Sequence, residues 1–164
     1  MEEAAYCMEQ ATERCKMYCG EKNQIYSAMS EELARMYNAA GRREESLACH
    51  LAVRNQLLKN GYREGSILLM VDNNMSVVYL DLGRPEEAIP YLTEALELAK
   101  ENGLVGPAVA EPTWNLARVY RALGDEEKED IYLKAAVEGF RECYPPEHPK
   151  RIAAEQRLKE HQGE

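Results

Sequence analysis

Five cysteines and three histidines are the residues of this 164-residue chain whose chemistry could hold a soft metal or run a redox cycle. Cys15 and Cys19 stand four apart, on one face of any helix that carries them, and Cys7 lies two turns earlier. Two thiolates so placed could share an ion, but a structural zinc takes four ligands, and no second pair at CxxC or paired-histidine spacing follows. Cys49 and His50 are neighbours and point in different directions on a helix. An odd number of cysteines, scattered over a chain too long to need covalent staples, reads as reduced thiols and not as a disulfide framework. No HExxH, nucleophile elbow or phosphate-cradling glycine loop occurs. The expectation is no metal, no cofactor and no enzymatic activity.

The elements that would position any other chemistry are set by a repeat. Gly41, Gly83 and Gly124 recur at intervals of 42 and 41 residues, and a tyrosine stands four before each: Tyr37, Tyr79 and Tyr120. A large and then a small residue precede them at Leu33-Ala34, Met75-Ser76 and Leu116-Ala117. That is the signature of a helix hairpin. In the middle unit Gly83 ends one helix, Pro85 suits the start of the next, and Ala88, Leu92 and Ala95 form a single stripe on it. Small residues at Ser76, Ala88 and Ala95 let two helix axes approach closely. His50 falls at the repeat position of Met8, Leu92 and Leu133, and Cys15 at that of Ala99, so both read as packing residues.

The pattern predicts an all-α chain of eight helices, at 2–18, 23–40, 43–59, 64–82, 85–101, 107–123, 126–142 and 148–160, with no strands. All of 1–164 reads as one domain, with repeats at about 23–60, 64–102 and 107–143. Pro107 and Pro112 leave open whether the sixth helix is kinked or starts late. Glu129 stands where the other repeats carry Ser46 and Ala88, which predicts looser packing in the third hairpin. Residues 2–18 match the second helix of a repeat at an offset of 84 from Glu86-Glu87-Ala88, so an apolar face there has no partner. This implies a longer array, or a homodimer through that helix. The segment 148–160 has Leu158 in the repeat register but Lys159 at the small position, as suits a solvent-facing cap.

Composition bounds the partners. A net charge of -9 opposes a sequence-independent hold on nucleic acid, which requires clustered Lys and Arg. The amino terminus has neither the basic segment nor the apolar core of a signal peptide, and no apolar run reaches the roughly 20 residues of a membrane span. A cytoplasmic location is expected, with mean hydropathy of -0.56 suiting a soluble helical protein.

The repeat resembles the tetratricopeptide repeat, in a long form similar to the repeats of kinesin light chains and many bacterial signalling and adaptor proteins. Gly106-Pro107-Ala108-Val109-Ala110 leading to Asn115-Leu116-Ala117 and Tyr120 carries the likeness, as do Asn73-Asn74-Met75 and Glu147-His148-Pro149. The resemblance implies a right-handed superhelical array whose first helices line a concave groove. Positions resembling groove-facing ones are Glu31, Glu32, Arg35 and Asn38, then Asn73 and Asn74, then Trp114, Asn115, Arg118 and Arg121. Amides can both donate to and accept from a peptide backbone, Trp114 offers an amphipathic anchor, and arginine can hold a carboxylate. The implied partner is a peptide or flexible protein segment with an acidic residue or free carboxylate. Glu31 and Glu32 disfavour the two-carboxylate clamp of the chaperone-binding members. The alternatives are a ligand- or peptide-responsive sensor module of a larger bacterial regulatory protein, or a self-associating oligomerisation module. Asn73 and Asn74 could instead only bridge helices, Trp114 could be core, and Arg118 with Arg121 could form a solvated face.

Overall fold

The computed structural model describes residues 2–61 and 66–163. Eight helices follow one another, with no strand among the described residues: α1 (Glu2–Cys19), α2 (Gln24–Ala39), α3 (Arg43–Lys59), α4 (Ser66–Asp81), α5 (Pro85–Glu101), α6 (Pro107–Leu123), α7 (Glu126–Cys143) and α8 (Pro149–Gln162). Each packs on its neighbours in sequence, and α4 also touches α2 and α6, so the first helices of successive hairpins stand side by side. The expected start of the fourth helix at 64 lies outside the described residues.

The Tyr-x-x-x-Gly spacing has a physical cause. Gly41, Gly83 and Gly124 take φ of 81°, 71° and 73°, a left-handed conformation that a side chain would strain. That turn lets Arg42 N–H donate to the Tyr37 carbonyl at 2.9 Å, Arg84 to Tyr79 at 2.9 Å and Asp125 to Tyr120 at 3.0 Å, closing each first helix. The same turn brings a cation over each tyrosine ring: Arg42 at 4.2 Å, Arg84 at 5.3 Å and Lys128 at 4.9 Å. Tyr79 and Tyr120 stack in addition on Tyr91 and Tyr132 of the following helix, with centroids 5.7 and 5.4 Å apart.

The apolar stripes meet in three clusters. The largest joins α3 to α6 through residues such as Leu57, Leu68, Met75, Leu92 and Leu116. A second joins α6, α7 and α8 around Leu133, Phe140 and Ala154, and a small one joins α1 and α2 at Ala5, Leu33 and Tyr37. The sixth helix begins at Pro107 and retains Pro112 inside, as α5 begins at Pro85 and retains Pro90. In both helices the second proline sits just past the first turn, where it forfeits a single backbone bond.

The third hairpin is not loosely packed, contrary to the expectation from Glu129. Gly139 on α7 lies so near α6 that a Cβ there would stand 2.9 Å from Ala110 Cβ. The small residue needed for close approach has moved from position 129 to position 139. Gly139→Ala is therefore expected to lower stability by about 1–3 kcal/mol, because overpacking at this close helix–helix contact outweighs the ~1 kcal/mol that alanine normally gains over glycine in a helix. Urea denaturation checks the sign, and an unchanged or raised midpoint would refute the tight contact.

Charged side chains also enter the interior. His50 and Glu31 are buried together, with His50 Nδ1 2.9 Å from Glu31 Oε1. Arg54 of α3 donates to buried Asp72 of α4 at 2.7 Å and to Glu94 of α5, and its guanidinium lies 5.0 Å from the Tyr91 ring centre. Glu129 is buried and accepts from Arg157 of α8 at 2.8 Å. His50 is thus a packed and hydrogen-bonded residue, as its repeat position predicts.

Candidate binding groove

The first helices α2, α4 and α6 carry the expected groove residues, and their side chains form a ladder from helix to helix. Asn38 Nδ2 donates to Asp81 Oδ2 at 3.4 Å, and Asn74 Nδ2 approaches Glu31 Oε2 at 3.5 Å. Asn115 Nδ2 donates to Asn73 Oδ1 at 2.7 Å. The last two contacts are equivalent in the repeat register: Asn115 aligns with Asn74, and Asn73 with Glu31. Each rung binds a residue of one repeat to the residue one position earlier in the preceding repeat. The amides therefore fix the spacing of the first helices; Asn115 is itself buried and Asn38 Oδ1 is buried without a partner, while Asn73 and Asn74 are half-buried at the surface.

Two clefts flank this ladder. One, of about 230 Å³, lies between α2 and α4 and is lined by Arg35, Asn38, Asn74 and Val77. The other, of about 220 Å³, lies between α4 and α6 and is lined by Met70, Asn73, Asn74, Pro107, Glu111 and Pro112. Asn74 borders both. The second cleft has an apolar end at Met70 and Pro107 and an amide end at Asn73 and Asn74, which suits an extended chain with one apolar side chain.

The remaining candidates divide. Arg118 Nη1 donates to Asn115 Oδ1 at 3.0 Å and makes no ion pair within 4 Å among the described residues. Burial lowers its pKa from the ordinary arginine value, while Asp81 acts in the opposite sense. An arginine stays charged under such a shift, so a partly dehydrated cation stands beside the Asn115–Asn73 pair. Arg35 is exposed and paired with Glu32 at 2.8 Å, and Arg121 is exposed. Trp114 is half-buried, with its ring centre 6.4 Å from that of Phe140 at the edge of the α6–α8 cluster. Glu31, which the register aligns with Asn73, is buried and occupied by His50, so it is not presented to a ligand.

Met70, Pro107, Glu111 and Pro112 line the cleft and were not among the groove residues expected from sequence, where Pro107 and Pro112 bore only on the start of the sixth helix. Nothing in the uniformly apolar run Ile67-Leu68-Leu69-Met70-Val71 marks Met70, and only the structure shows it exposed while Leu68, Leu69 and Val71 are buried. Among the described residues no cluster of three or more His, Cys, Asp or Glu could hold a metal, and no helix is long and apolar enough to cross a membrane.

Residues 67–142, from α4 through α7, match the family described as the tetratricopeptide repeat. Tetratricopeptide repeats thus occupy the middle of this chain, from α4 through α7. Its fold matches the crystal structure of kinesin light chain-type, nearly identical TPR-like repeats from Podosopora anserina, with a TM-score of 0.81 and 23% identity over 99% of this chain and 78% of that one. It also matches BtubC (BKLC) from P. vanneervenii, with a TM-score of 0.78 and 18% identity over 99% of this chain and 73% of that one. At these identities the likeness concerns the fold. The Fanconi anemia group G protein homolog of Mus musculus is 34% identical over 87 residues, which are 53% of this chain and 13% of that protein. The chain thus spans about an eighth of the length of that curated relative. A fold of this kind, stacked hairpins with an extended preformed surface, suits a protein-interaction scaffold in the general sense.

Proposed function

We propose that this array, acting as one domain over 1–164, is a non-catalytic adaptor that binds a peptide or flexible protein segment along α2, α4 and α6. Asn73, Asn74 and Asn115 hold the peptide backbone, Arg118 takes an acidic side chain or free carboxylate, and Arg35, Asn38, Trp114 and Arg121 extend the surface. No cofactor, nucleic acid or membrane takes part, and the site of action is the cytoplasm. The observation that carries this reading is Arg118. A guanidinium already stripped of part of its water, with an amide as its only hydrogen-bond partner among the described residues, loses little further hydration when a carboxylate arrives.

The test is a pull-down from host lysate with the purified chain, followed by mass spectrometry, comparing wild type with Asn74→Ala, Asn115→Ala and with Arg118→Gln. Retained proteins should fall at least about tenfold in both variants, a loss near 1.4 kcal/mol. Unchanged capture by variants of native helicity would end the groove assignment.

A second reading, self-association through α1, is favoured by a specific observation. Ala88 and Leu92 of α5 are fully buried, whereas their equivalents Ala4 and Met8 are exposed and half-buried. Sedimentation should then depend on concentration and cease to do so in Met8→Glu; a wild type that stays monomeric at high concentration would exclude it.

A further inference from the structure

We propose that the seam between α1 and α3, floored by α2, is a binding site for a small aromatic carboxylate. A cleft of about 350 Å³ lies there, lined by Lys16, Ser27, Ser30, Cys49, Ala52 and Gln56. Ligand pockets begin at about this size.

The same seam one repeat later, between α3 and α5 over α4, is closed. Arg54 reaches across it to Asp72 and Glu94 and lies over Tyr91, which stacks on Tyr79. Subtracting the 42-residue period from those four closing residues gives Thr12, Ser30, Ala52 and Cys49. All four are truncations. Leu69 and Leu98 of the closed seam become Ser27 and Gln56 in the open one. The hairpin scaffold is unchanged, so shortening every closing side chain at once leaves a space lined by hydroxyls, amides and a thiol, with Tyr26 and Val53 also on its wall and Gln56 donating to the Glu21 carbonyl. Thr12 Oγ1, at the position of the Arg54 side chain, is buried without a hydrogen-bond partner.

The closed seam indicates what fits the open one. Tyr79 and Tyr120 each stack on a second tyrosine, but at the equivalent place beside Tyr37 stands Cys49. The missing piece is a ring. The charge of the guest follows from the carboxylates that are gone: with Ser30 and Ala52 in place of Asp72 and Glu94, a cation would find no counter-charge inside. The rim supplies Lys16, Lys59 and Glu21. Lys16 is already paired with Glu21 at 2.6 Å, which leaves Lys59 without an ion pair among the described residues and able to meet an anionic end.

The probe is 4-hydroxyphenylacetate, with its neutral amide and tyramine as controls, titrated into the full chain by isothermal calorimetry and ligand-observed NMR. The acid should saturate a single site and bind about tenfold more tightly than either control. Lys59→Gln should erase that preference. Cys49→Tyr, which copies the Tyr79–Tyr91 arrangement, should abolish binding while keeping the fold; if it does not fold, Ser27→Leu, which copies Leu69, serves in its place. Asn74→Ala, in the groove on the first helices, should bind the acid like wild type, so a failure here is separable from a failure of the adaptor reading. The proposal is overturned by the absence of saturable binding at about 1 mM ligand, by retained binding in a folded filling variant, or by equal binding of the amide or amine.

Discussion

Arg54→Met is expected to lower the free energy of unfolding by about 3–5 kcal/mol at pH 7, the cost of leaving a buried charge without its partner. Methionine keeps most of the arginine stem's volume, so the loss reports on charge more than on packing. Asp72 is completely buried, and only one of its oxygens is bonded; Oδ2 has no hydrogen-bond partner. Burial pushes its carboxyl up to about 6, with Arg54 pulling the other way and Glu94 and Glu31 adding to the rise. A folded-state value above the unfolded one means that the native state holds the proton more tightly. The stabilisation from that proton is full below the unfolded value of 3.8 and is lost as pH rises through about 6. Two units correspond to about 3 kcal/mol. Without Arg54 the carboxyl rises further and escapes its penalty by taking a proton in mildly acid solution. The gap between wild type and Arg54→Met should therefore widen as pH rises from 5 to 8, as read from urea midpoints. Asp72→Asn should flatten the wild-type pH slope in the same range. A gap that does not change with pH would show that Arg54 acts through packing alone.

That network was not legible in the sequence, whereas the helices around it were. Tyr37, Tyr79 and Tyr120 with their glycines are periodic because each turn needs the same left-handed residue and the same carbonyl acceptor. Periodicity therefore marks the hairpins directly. Arg54, Asp72 and Glu94 each occur in one repeat and have a different residue in the next, so nothing in a 42-residue period announces them. A charged residue on a helix also reads as a solvent-facing one until its neighbours in space are known. His50 could be placed because its repeat equivalents are apolar; its partner Glu31 could not, because the register aligned it with Asn73 and Trp114, positions expected to face the groove.

The groove was legible by the same rule and to the same limit. Asn73, Asn74 and Asn115 fall on adjacent first helices because they share a repeat position or its neighbour. The sequence leaves open whether they face a ligand or each other, and the geometry shows them bonded to one another, with Asn115 buried. An amide has two donors and two acceptor sites, and the Asn115–Asn73 bond uses one of each pair. The ladder thus holds the first helices at fixed spacing, and on the adaptor reading proposed above the remaining capacity of Asn73 and Asn74 is what an extended chain would use. A preformed surface of this kind spares the ordering cost that a flexible loop would bring to binding.

Arg157→Met should cost about 3 kcal/mol, the lower end of the range for orphaning a buried charge, because Arg157 lies nearer the surface than Arg54 and water can reach the vacated space. Glu129 stands at the position where the other repeats carry Ser46 and Ala88, both fully buried. Its carboxylate accepts from Arg157 Nε at 2.8 Å and Nη2 at 2.7 Å, while His161 Nδ1 lies 3.9 Å away. This pair is the buried polar tie between α7 and α8, beside the more exposed Arg141–Glu155 pair at 2.8 Å and the apolar contacts of Ala154 and Leu158. Removing Arg157 alone strands the carboxylate. Removing Glu129 as well restores the residue type that the other hairpins use. The double variant Glu129→Ala, Arg157→Met is therefore expected to recover most of the loss, within about 1 kcal/mol of wild type, since apolar replacement of a whole buried pair is often neutral. Hydrogen exchange should place the damage of the single variant in α8 and the end of α7, with α2 to α5 unaffected. If the double variant were as unstable as the single, the tie would be steric, and the loss would come from the arginine stem covering α7 rather than from a stranded charge.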